Sequence, residues 1–271
     1  MRVGLISGSG QFPLLFSRKA KARGYRVYAV AHIKETNPEL ENLVDGIEWL
    51  HLGQLGKLIR FFKKNNVNQA VMMGAIEKTR MFRDIKPDLK ILSVIGALKN
   101  SQDDRMLRAC ADVLEKEGIE ILASTFLLPE LLAPEGCWTK RKPTQTEEQN
   151  IEFGWQIAKE IGRLDIGQCI VVGNGSVLAV EAVDGTDATI RRGGKLGNGE
   201  ALVVKVSKPN QDLRFDMPAI GAQTIQTMSE VGAKVLTVEA GKAVVFDREE
   251  MVNLADRMGV TIVARSDMDD R

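Results

Sequence analysis

The sequence predicts an α/β protein with a Rossmann-like N-terminal domain built on a parallel sheet, followed by an α+β C-terminal domain. Three observations predict it. Short apolar runs alternate with helix-period segments from residue 3 to residue 125, the rhythm of a parallel sheet wrapped by helices. A stretch at 129–146 holding Pro129, Pro134, Gly136, Pro143 and the basic run Lys140-Arg141-Lys142 then interrupts that rhythm. Beyond it, Gly173-Asn174-Gly175 joins two apolar runs as a hairpin, a connection that βαβ units do not use. The implied domains are 1–130 and 147–271, with a linker at 131–146.

Residues 3–7 read as a buried strand, followed by Gly8-Ser9-Gly10-Gln11-Phe12-Pro13 and a helix through Lys21. Strand, glycine turn and helix start let backbone N–H groups approach a phosphate. The spacing here is Gly8-x-Gly10-x-x-Pro13, without a third glycine. Residues 26–31 make a second strand, and Glu35 is the only acid near its end, where a dinucleotide site needs one for the ribose. NAD binding is therefore disfavoured. Residues 47–50 form a shorter third strand. In 55–64, Leu55, Leu58, Ile59 and Phe62 share one helix face, and Asn65-Asn66 ends it. The strand at 69–73 leads into Gly74-Ala75-Ile76-Glu77-Lys78. Ligands in open α/β sheets sit beyond the carboxyl ends of strands, so Gly74 to Ile76 and Gly8 to Gln11 are expected side by side, as a substrate site or as plain loop. Ser101 caps a helix whose buried face is Leu107, Cys110, Ala111 and Leu114; Asp103 and Asp104 suit its positive end. Glu117-Gly118 closes it, and 119–125 form the next strand.

In the linker, Lys140-Arg141-Lys142 is a solvated run or a contact for phosphates or an anionic membrane surface. Leu127, Leu128, Leu131 and Leu132 cluster near Phe126 and Trp138, as core beneath a loop or as a surface for an acyl chain. Thr146 and Gln149 make a capping-box pattern for a helix over 147–161, with Ile151, Trp155, Ala158 and Ile161 on its core face. Strands at 169–172 and 177–183 flank the hairpin turn. The second runs into Glu181-Ala182-Val183-Asp184-Gly185-Thr186-Asp187 and a helical piece with Arg191-Arg192. Carboxylates beside guanidiniums are the ingredients of a hard-cation and phosphate site; the plain alternative is a turn with helix-end charges. The strand at 201–206 hands over to a loop with Ser207, Lys208, Asn210, Gln211, Asp212, Arg214 and Asp216. Pro218 is expected to open a helix; cations and carboxylates crowded between a strand end and a helix start suit an anionic, metal-assisted substrate, and the plain alternative is a solvated connection with Asp216 as the helix cap. A helix over 222–229, a strand pair at 234–238 and 243–246, a helix capped by Asp247 with Glu250, a strand at 260–264 and a frayed tail at 266–271 complete the chain.

The 271 residues are 44% hydrophobic and 27% charged, enough for two cores. A net charge of +1 argues against a broad nucleic-acid surface. Cys110, Cys137 and Cys169 lack metal-type spacing and suit a reducing compartment. There is no secretory leader pattern and no apolar run of about 18 residues, so a cytoplasmic protein, at most peripheral to a membrane, is expected. With only His32 and His51, a histidine-rich metal site is excluded. A hard cation such as magnesium, held by carboxylate and phosphate oxygens, remains.

EIGRLDIGQ (160–168), VEAVDGTDATIRR (180–192), VKVSKP (204–209) and RFDMPAIG (214–221) resemble the C-terminal domain of the UDP-2,3-diacylglucosamine pyrophosphatases of lipid A synthesis. The type resembled is the one formerly known as a domain of unknown function, unrelated to the calcineurin-like enzymes of the same step. GLISGSGQFP (4–13) and QDDRMLR (102–108) resemble its N-terminal domain. The resemblance covers nearly the whole chain in order.

It implies hydrolysis of the UDP-sugar diphosphate by water attack at the α-phosphorus, giving UMP and 2,3-diacylglucosamine 1-phosphate (lipid X). It also implies Mg2+ or Mn2+, a homodimer, and a place at the inner-membrane surface. The family's essential aspartate lies in D-x-P-x-I-G, which makes it Asp216 here. On this reading Asp216 ligates the metal or orients the water, and Asp187 is a second metal ligand. Thr186 contacts metal or phosphate, while Arg191, Lys205 and Lys208 neutralise the diphosphate. Gln11, Gly74, Ala75, Ile76 and Thr125 contact substrate from the first domain. The rival readings are an NAD-binding nucleotide-sugar oxidoreductase and a non-catalytic nucleotide- or lipid-binding protein.

Overall fold

The computed structural model describes residues 1–76, 85–97, 103–214 and 216–266. The chain divides into two compact units, one of residues 1–129 with 212–216, the other of residues 130–211 with 217–271.

The first unit holds a five-stranded parallel sheet in the order β3-β2-β1-β4-β5. Its strands are β1 (Arg2–Ser7), β2 (Arg26–His32), β3 (Gly46–Leu50), β4 (Gln69–Met73) and β5 (Glu120–Leu122). The order reverses direction between β1 and β4, which places a switch point beside the turns that follow them. Helix α1 (Phe12–Ala22) follows β1, and α2 (Leu55–Lys64) buries Leu55, Leu58, Ile59 and Phe62, the face read from the sequence. Helix α3 (Leu89–Ala97) has no counterpart in the sequence reading; Ile91 and Val94 pack inward. Asp88 starts it, with Oδ1 accepting from the N–H groups of Lys90 and Ile91 (both 3.1 Å) and Oδ2 from that of Gly56 (2.7 Å). Helix α4 (Asp103–Lys116) buries Ala111 and Leu114, and burial pushes the Cys110 thiol up to about 11. The expected contributions of Glu77, Lys78, Ser101 and Gln102 lie outside the described residues.

The turns after β1 and β4 do lie side by side. Gly8 donates its N–H to Met73 O (2.9 Å), Ser9 N donates to Ala75 O (2.8 Å), and Ala75 N returns a bond to Ser9 O (3.2 Å). The approach is so close that a Cβ on Gly8 would stand 2.5 Å from Ala75 O, and one on Gly74 2.6 Å from Ser9 O. Gly74 also has a φ of +92°, which L side chains avoid.

The second unit holds a six-stranded mixed sheet in the order β6-β13-β11-β9-β7-β8. Strands β7 (Cys169–Gly173) and β8 (Ser176–Val180) form the expected hairpin, with Asn174 and Gly175 both at positive φ (50° and 70°), as a two-residue turn requires. Strands β9 (Leu202–Lys205), β11 (Val235–Glu239) and β13 (Thr261–Arg265) run parallel, and β6 (Gly136–Cys137) closes the edge antiparallel to β13. Helices α5 (Gln145–Arg163), α6 (Thr186–Gly197), α7 (Ala222–Glu230) and α8 (Arg248–Met258) cover the strands. A separate two-stranded sheet pairs β10 (Ala219–Ile220) with β12 (Val244–Val245).

Several local expectations shift. The capping box belongs to Thr144 and Glu147, two residues before Thr146 and Gln149. Both pairs fit the pattern, but Glu147 also accepts from Arg141 (2.6 Å), which fixes the register. The segment read as a linker carries β6 and lies in the second unit, where Thr139 Oγ1 accepts from Ile262 N (3.1 Å). Pro218 does not open a helix: it precedes β10, and its carbonyl accepts from Val244 N (2.8 Å), so its missing N–H costs nothing. Helix α7 begins at Ala222 with Gly221 as its N-cap, so Asp216 caps no helix. Residues 243–246 do not pair with 234–238; Ala243 O binds Ala133 N and β12 joins β10. Asp247 is the N-cap of α8 but makes no side-chain bond there. Leu127 and Leu128 are buried in the first unit, and Leu132 forms an isolated bridge with Val244 in the second.

Gly74→Ala is expected to destabilise the first unit by about 2 kcal/mol or more, since positive φ and the backbone clash act together. Urea unfolding followed by circular dichroism checks it; an unchanged midpoint would show that the two turns part easily.

Candidate functional site

In the first unit, the carboxyl ends of β1, β4 and β5 gather the sequence-predicted residues Gln11, Gly74, Ala75, Ile76, Thr125 and Asp216 into one unit. Gln11 is the exposed N-cap residue of α1, and its side chain makes no capping bond. Ser9 Oγ donates to Ala75 O (2.8 Å), which ties the hydroxyl to the β4 turn. Thr125 is half-buried one residue beyond Ser124, whose N–H donates to Arg214 O (2.8 Å). That bond fastens the segment 212–216 to the end of β5. Beneath the β1 turn, Thr36 Oγ1 donates to Ser7 O (2.6 Å) and His32 Nδ1 lies 2.9 Å from the same oxygen. The carbonyl can only accept, so Nδ1 carries the proton; burial holds the imidazole below its ordinary pKa, and His32 is a neutral structural donor.

The 212–216 segment is held by charge. Arg214 grips Asp212 through Nε to Oδ1 (3.0 Å) and NH2 to Oδ2 (2.8 Å), while its NH1 donates to Glu115 Oε1 (2.6 Å). Arg108 stands 3.7 Å from Asp212 Oδ2. The Arg214 hydrogen bond holds the Asp212 carboxyl below the usual range, and Asp212 in turn raises Arg214. Asp216 is half-buried, and its N–H donates to Asp212 O (3.1 Å). That bond ties Asp216 to the residue held by Arg214.

In the second unit, one end of the sheet carries the other candidates. It is formed by the carboxyl ends of β8, β9 and β11 and the start of β7, since Cys169 faces Lys205 and Ile170 faces Val180. Lys205 is buried, and its Nζ donates to Ala219 O (3.0 Å). Thr186 opens α6 and donates to Glu181 Oε1 (2.6 Å); Glu181 Oε2 accepts from Gln168 N (3.0 Å). Asp187 lies in the first turn of α6. Cys169 lies among these groups: burial raises its thiol, with Glu181 and Asp187 adding to the shift and Lys205 opposing it. Lys208 Nζ binds Asp165 Oδ1 (2.9 Å) in the loop that follows β9. Arg191 does not join this group, since Nε donates to Glu230 (3.0 Å) and NH2 to Thr227 (3.4 Å) on α7.

Sequence reading missed the carboxylate that organises this end. Glu239, fully buried at the end of β11, accepts from Lys159 Nζ at both oxygens (2.8 Å each) and from Ser207 N (2.8 Å), with Lys242 Nζ 2.9 Å away. The only local signal is an acid directly after the apolar run 235–238. Its main partner is 80 residues distant.

No group of three or more His, Cys, Asp or Glu side chains among the described residues could hold a metal ion. A magnesium ion needs no such cluster, because one or two carboxylates with phosphate oxygens and waters fill its shell. Asp216, in the first unit, and Asp187, in the second, are carboxylates of the donor type such an ion takes.

Family models described as the LpxI N-terminal domain and the LpxI C-terminal domain match residues 2–131 and 134–263. The chain is 33% identical over 274 positions to the UDP-2,3-diacylglucosamine pyrophosphatase LpxI of Caulobacter vibrioides, covering 97% of this chain and 96% of that protein. Among solved structures, an ADP complex of N5-carboxyaminoimidazole ribonucleotide synthetase is 16% identical with a TM-score of 0.30, covering 64% of this chain and 32% of that one. The synthetase of the same name from Thermotoga maritima is 13% identical with a TM-score of 0.27, covering 68% and 42%. Similarity at that level bears on neither the site nor its chemistry.

Two outcomes follow from the geometry. Asp212→Asn is expected to lower thermal stability at neutral pH. Because the folded carboxyl titrates below its unfolded value, the advantage of the native protein is present above about pH 4 and fades as pH falls through the depressed value. Paired melting curves from pH 7 to pH 3 test this; a constant gap would remove Arg214 as the cause. Glu239→Leu, which strands Lys159, is expected to cost about 3–5 kcal/mol, and the double variant with Lys159→Met to recover much of it. A denaturant double-mutant cycle reads the difference.

Proposed function

The chain belongs to the LpxI family, and we propose that it hydrolyses the diphosphate of UDP-2,3-diacylglucosamine by water attack at the α-phosphorus. The products are UMP and 2,3-diacylglucosamine 1-phosphate, a step of lipid A biosynthesis. One observation carries the reading: a relative named for this activity aligns over 97% of the chain, and two models of its family match both halves in order.

Phosphoryl chemistry of this kind needs a placed nucleophile and neutralised oxygens. In the proposed roles, Asp216 orients the water or ligates a divalent cation, and its backbone bond to Asp212 supports that assignment. Asp216 of the first unit and Asp187 of the second are each proposed as a carboxylate ligand for Mg2+ or Mn2+, which would supply charge neutralisation at the phosphates. Lys205 and Lys208 contribute cations at the carboxyl end of β9, Lys208 by exchanging Asp165 for phosphate. Thr186, already bound to Glu181, is placed by that bond. Arg191, tied to Glu230, has the weakest support among the proposed substrate contacts. The tight β1 and β4 turns at the switch point are the surface proposed for Gln11, Gly74, Ala75, Ile76 and Thr125 to meet substrate. No helix among the described residues is long and apolar enough to cross a membrane. The proposed setting is cytoplasmic and peripheral to the inner membrane, as a homodimer. The oxidoreductase rival gains no support: the β1 turn lacks a third glycine, and Pro13 stands at its place.

The test is release of UMP from UDP-2,3-diacylglucosamine in detergent micelles. Wild type with magnesium should hydrolyse it, chelation should stop the reaction, and Mg2+ or Mn2+ should restore it. Asp216→Asn should fold and bind substrate yet lose about 100-fold or more in rate. A fully active Asp216→Asn protein sinks that assignment; an inactive wild type sinks the enzyme reading.

A further inference from the structure

Helix α3 is apolar on its outward face as well as its inward one. Ile91 and Val94 pack against the core of the first unit. Leu89 is 86% exposed, Leu92 48% and Ile95 38%, and the helix carries a single charged residue, Lys90. Ile85, just before it, is also exposed. At 100° per residue, Leu92 and Leu89 fall opposite Ile91 and Val94, with Gly96 between them and no charge on that side. A helix exposed to water ordinarily puts charge there.

On the α2 side the surroundings are basic. Helix α2, against which α3 packs, carries Lys57, Arg60, Lys63 and Lys64, all exposed, and no carboxylate. Lys86 and Lys90 add two cations beside α3, and Asp88 is the only acid in 85–97, engaged in starting the helix. Glu117 answers Lys63 (2.5 Å) and Lys90 (2.6 Å). The sum over 55–64 and 85–97 is six cations to one anion, on a chain whose net charge is only +1.

We propose that the outward face of α3, framed by the cations of α2, is a docking surface for an anionic phospholipid bilayer. Apolar side chains amid lysines and arginines match an interface of acyl chains and anionic headgroups, since insertion buries the leucines while the cations stay at headgroup depth. Nine residues of helix reach only about 14 Å, so the element lies in the interface and does not span it. The proposal deepens the membrane-peripheral reading above and rests on it: a substrate with two acyl chains resides in a bilayer, and this face would hold the protein there. It places none of these residues in the catalytic machinery.

The test is co-sedimentation with vesicles of phosphatidylethanolamine and phosphatidylglycerol, against vesicles of phosphatidylcholine. Wild type should bind the anionic vesicles at least about tenfold more tightly, and about 0.5 M salt should weaken that binding. Leu89→Ser with Leu92→Ser should reduce partitioning about tenfold or more, with unfolding and hydrolysis of micellar substrate unchanged, since both side chains are exposed. Lys57→Gln with Arg60→Gln and Lys64→Gln should weaken binding to anionic vesicles alone. The proposal is overturned if wild type ignores anionic vesicles or if the leucine variant binds them equally. It is also overturned if that variant instead splits a dimer seen by light scattering, because the face would then belong to a second copy. Loss of micellar hydrolysis in wild type would sink the enzyme reading, independently of vesicle binding.

Discussion

A buried carboxylate at the end of β11 organises one end of the sheet in the second unit. Glu239 has no exposure, and a charge in that position is tolerable only when every lone pair finds a donor. Lys159 supplies two contacts from α5, Lys242 one from the turn that follows, and the N–H of Ser207 one from the chain leaving β9. The last fixes Ser207 as the chain leaves β9, and Gln211 holds the same turn by accepting from Ser207 Oγ (3.0 Å) and Lys208 N (2.9 Å). Lys208 is directed to Asp165 within the same arrangement. A solvated Glu–Lys pair could not impose this order, because surface pairs stabilise by about 0–1 kcal/mol and keep their side-chain freedom.

The first unit solves a different problem by different means. Its two turns at the switch point approach through backbone alone, with glycine at both contact points because no Cβ fits. The N–H and C=O groups there are spent on one another, at Gly8, Ser9 and Ala75. Those three N–H groups are thereby closed to a phosphate, unlike the open N–H groups of a phosphate cradle. The missing third glycine agrees with that.

The legible parts of the sequence are those where one short-range pattern decides the structure. The α2 face, the Asn174-Gly175 turn and the β1 and β4 strands are such cases, and the meeting of the two glycine turns follows from a topological rule. Where two local patterns competed, a distant residue chose: Thr144 and Thr146 both suit a capping box, and the Arg141 contact to Glu147 settles it. Pro218 suits a helix start or an edge strand, and the partner Val244 decides. Helix α3 escaped because its sequence is apolar all round, which leaves no polar face for periodicity to detect. The Glu239–Lys159 pair escaped because neither residue predicts a partner 80 positions away. Asp216 is singled out by family motif rather than by spacing, since its immediate chemistry looks like any acid near a turn.

That last point bears on how a cation would be handled. A site with three preplaced carboxylates would hold its metal in the absence of substrate, at the cost of keeping like charges together. Among the described residues, four acids near the candidates are engaged: Asp212 by Arg214, Asp184 by Arg192, Glu181 by Thr186, Asp165 by Lys208. If a divalent cation binds as proposed, such pairing leaves few carboxylates for it, and a diphosphate would complete its shell. Metal and substrate affinity would then be coupled, each raising the other by the same factor, because a ligand shared by two partners links their free energies reciprocally.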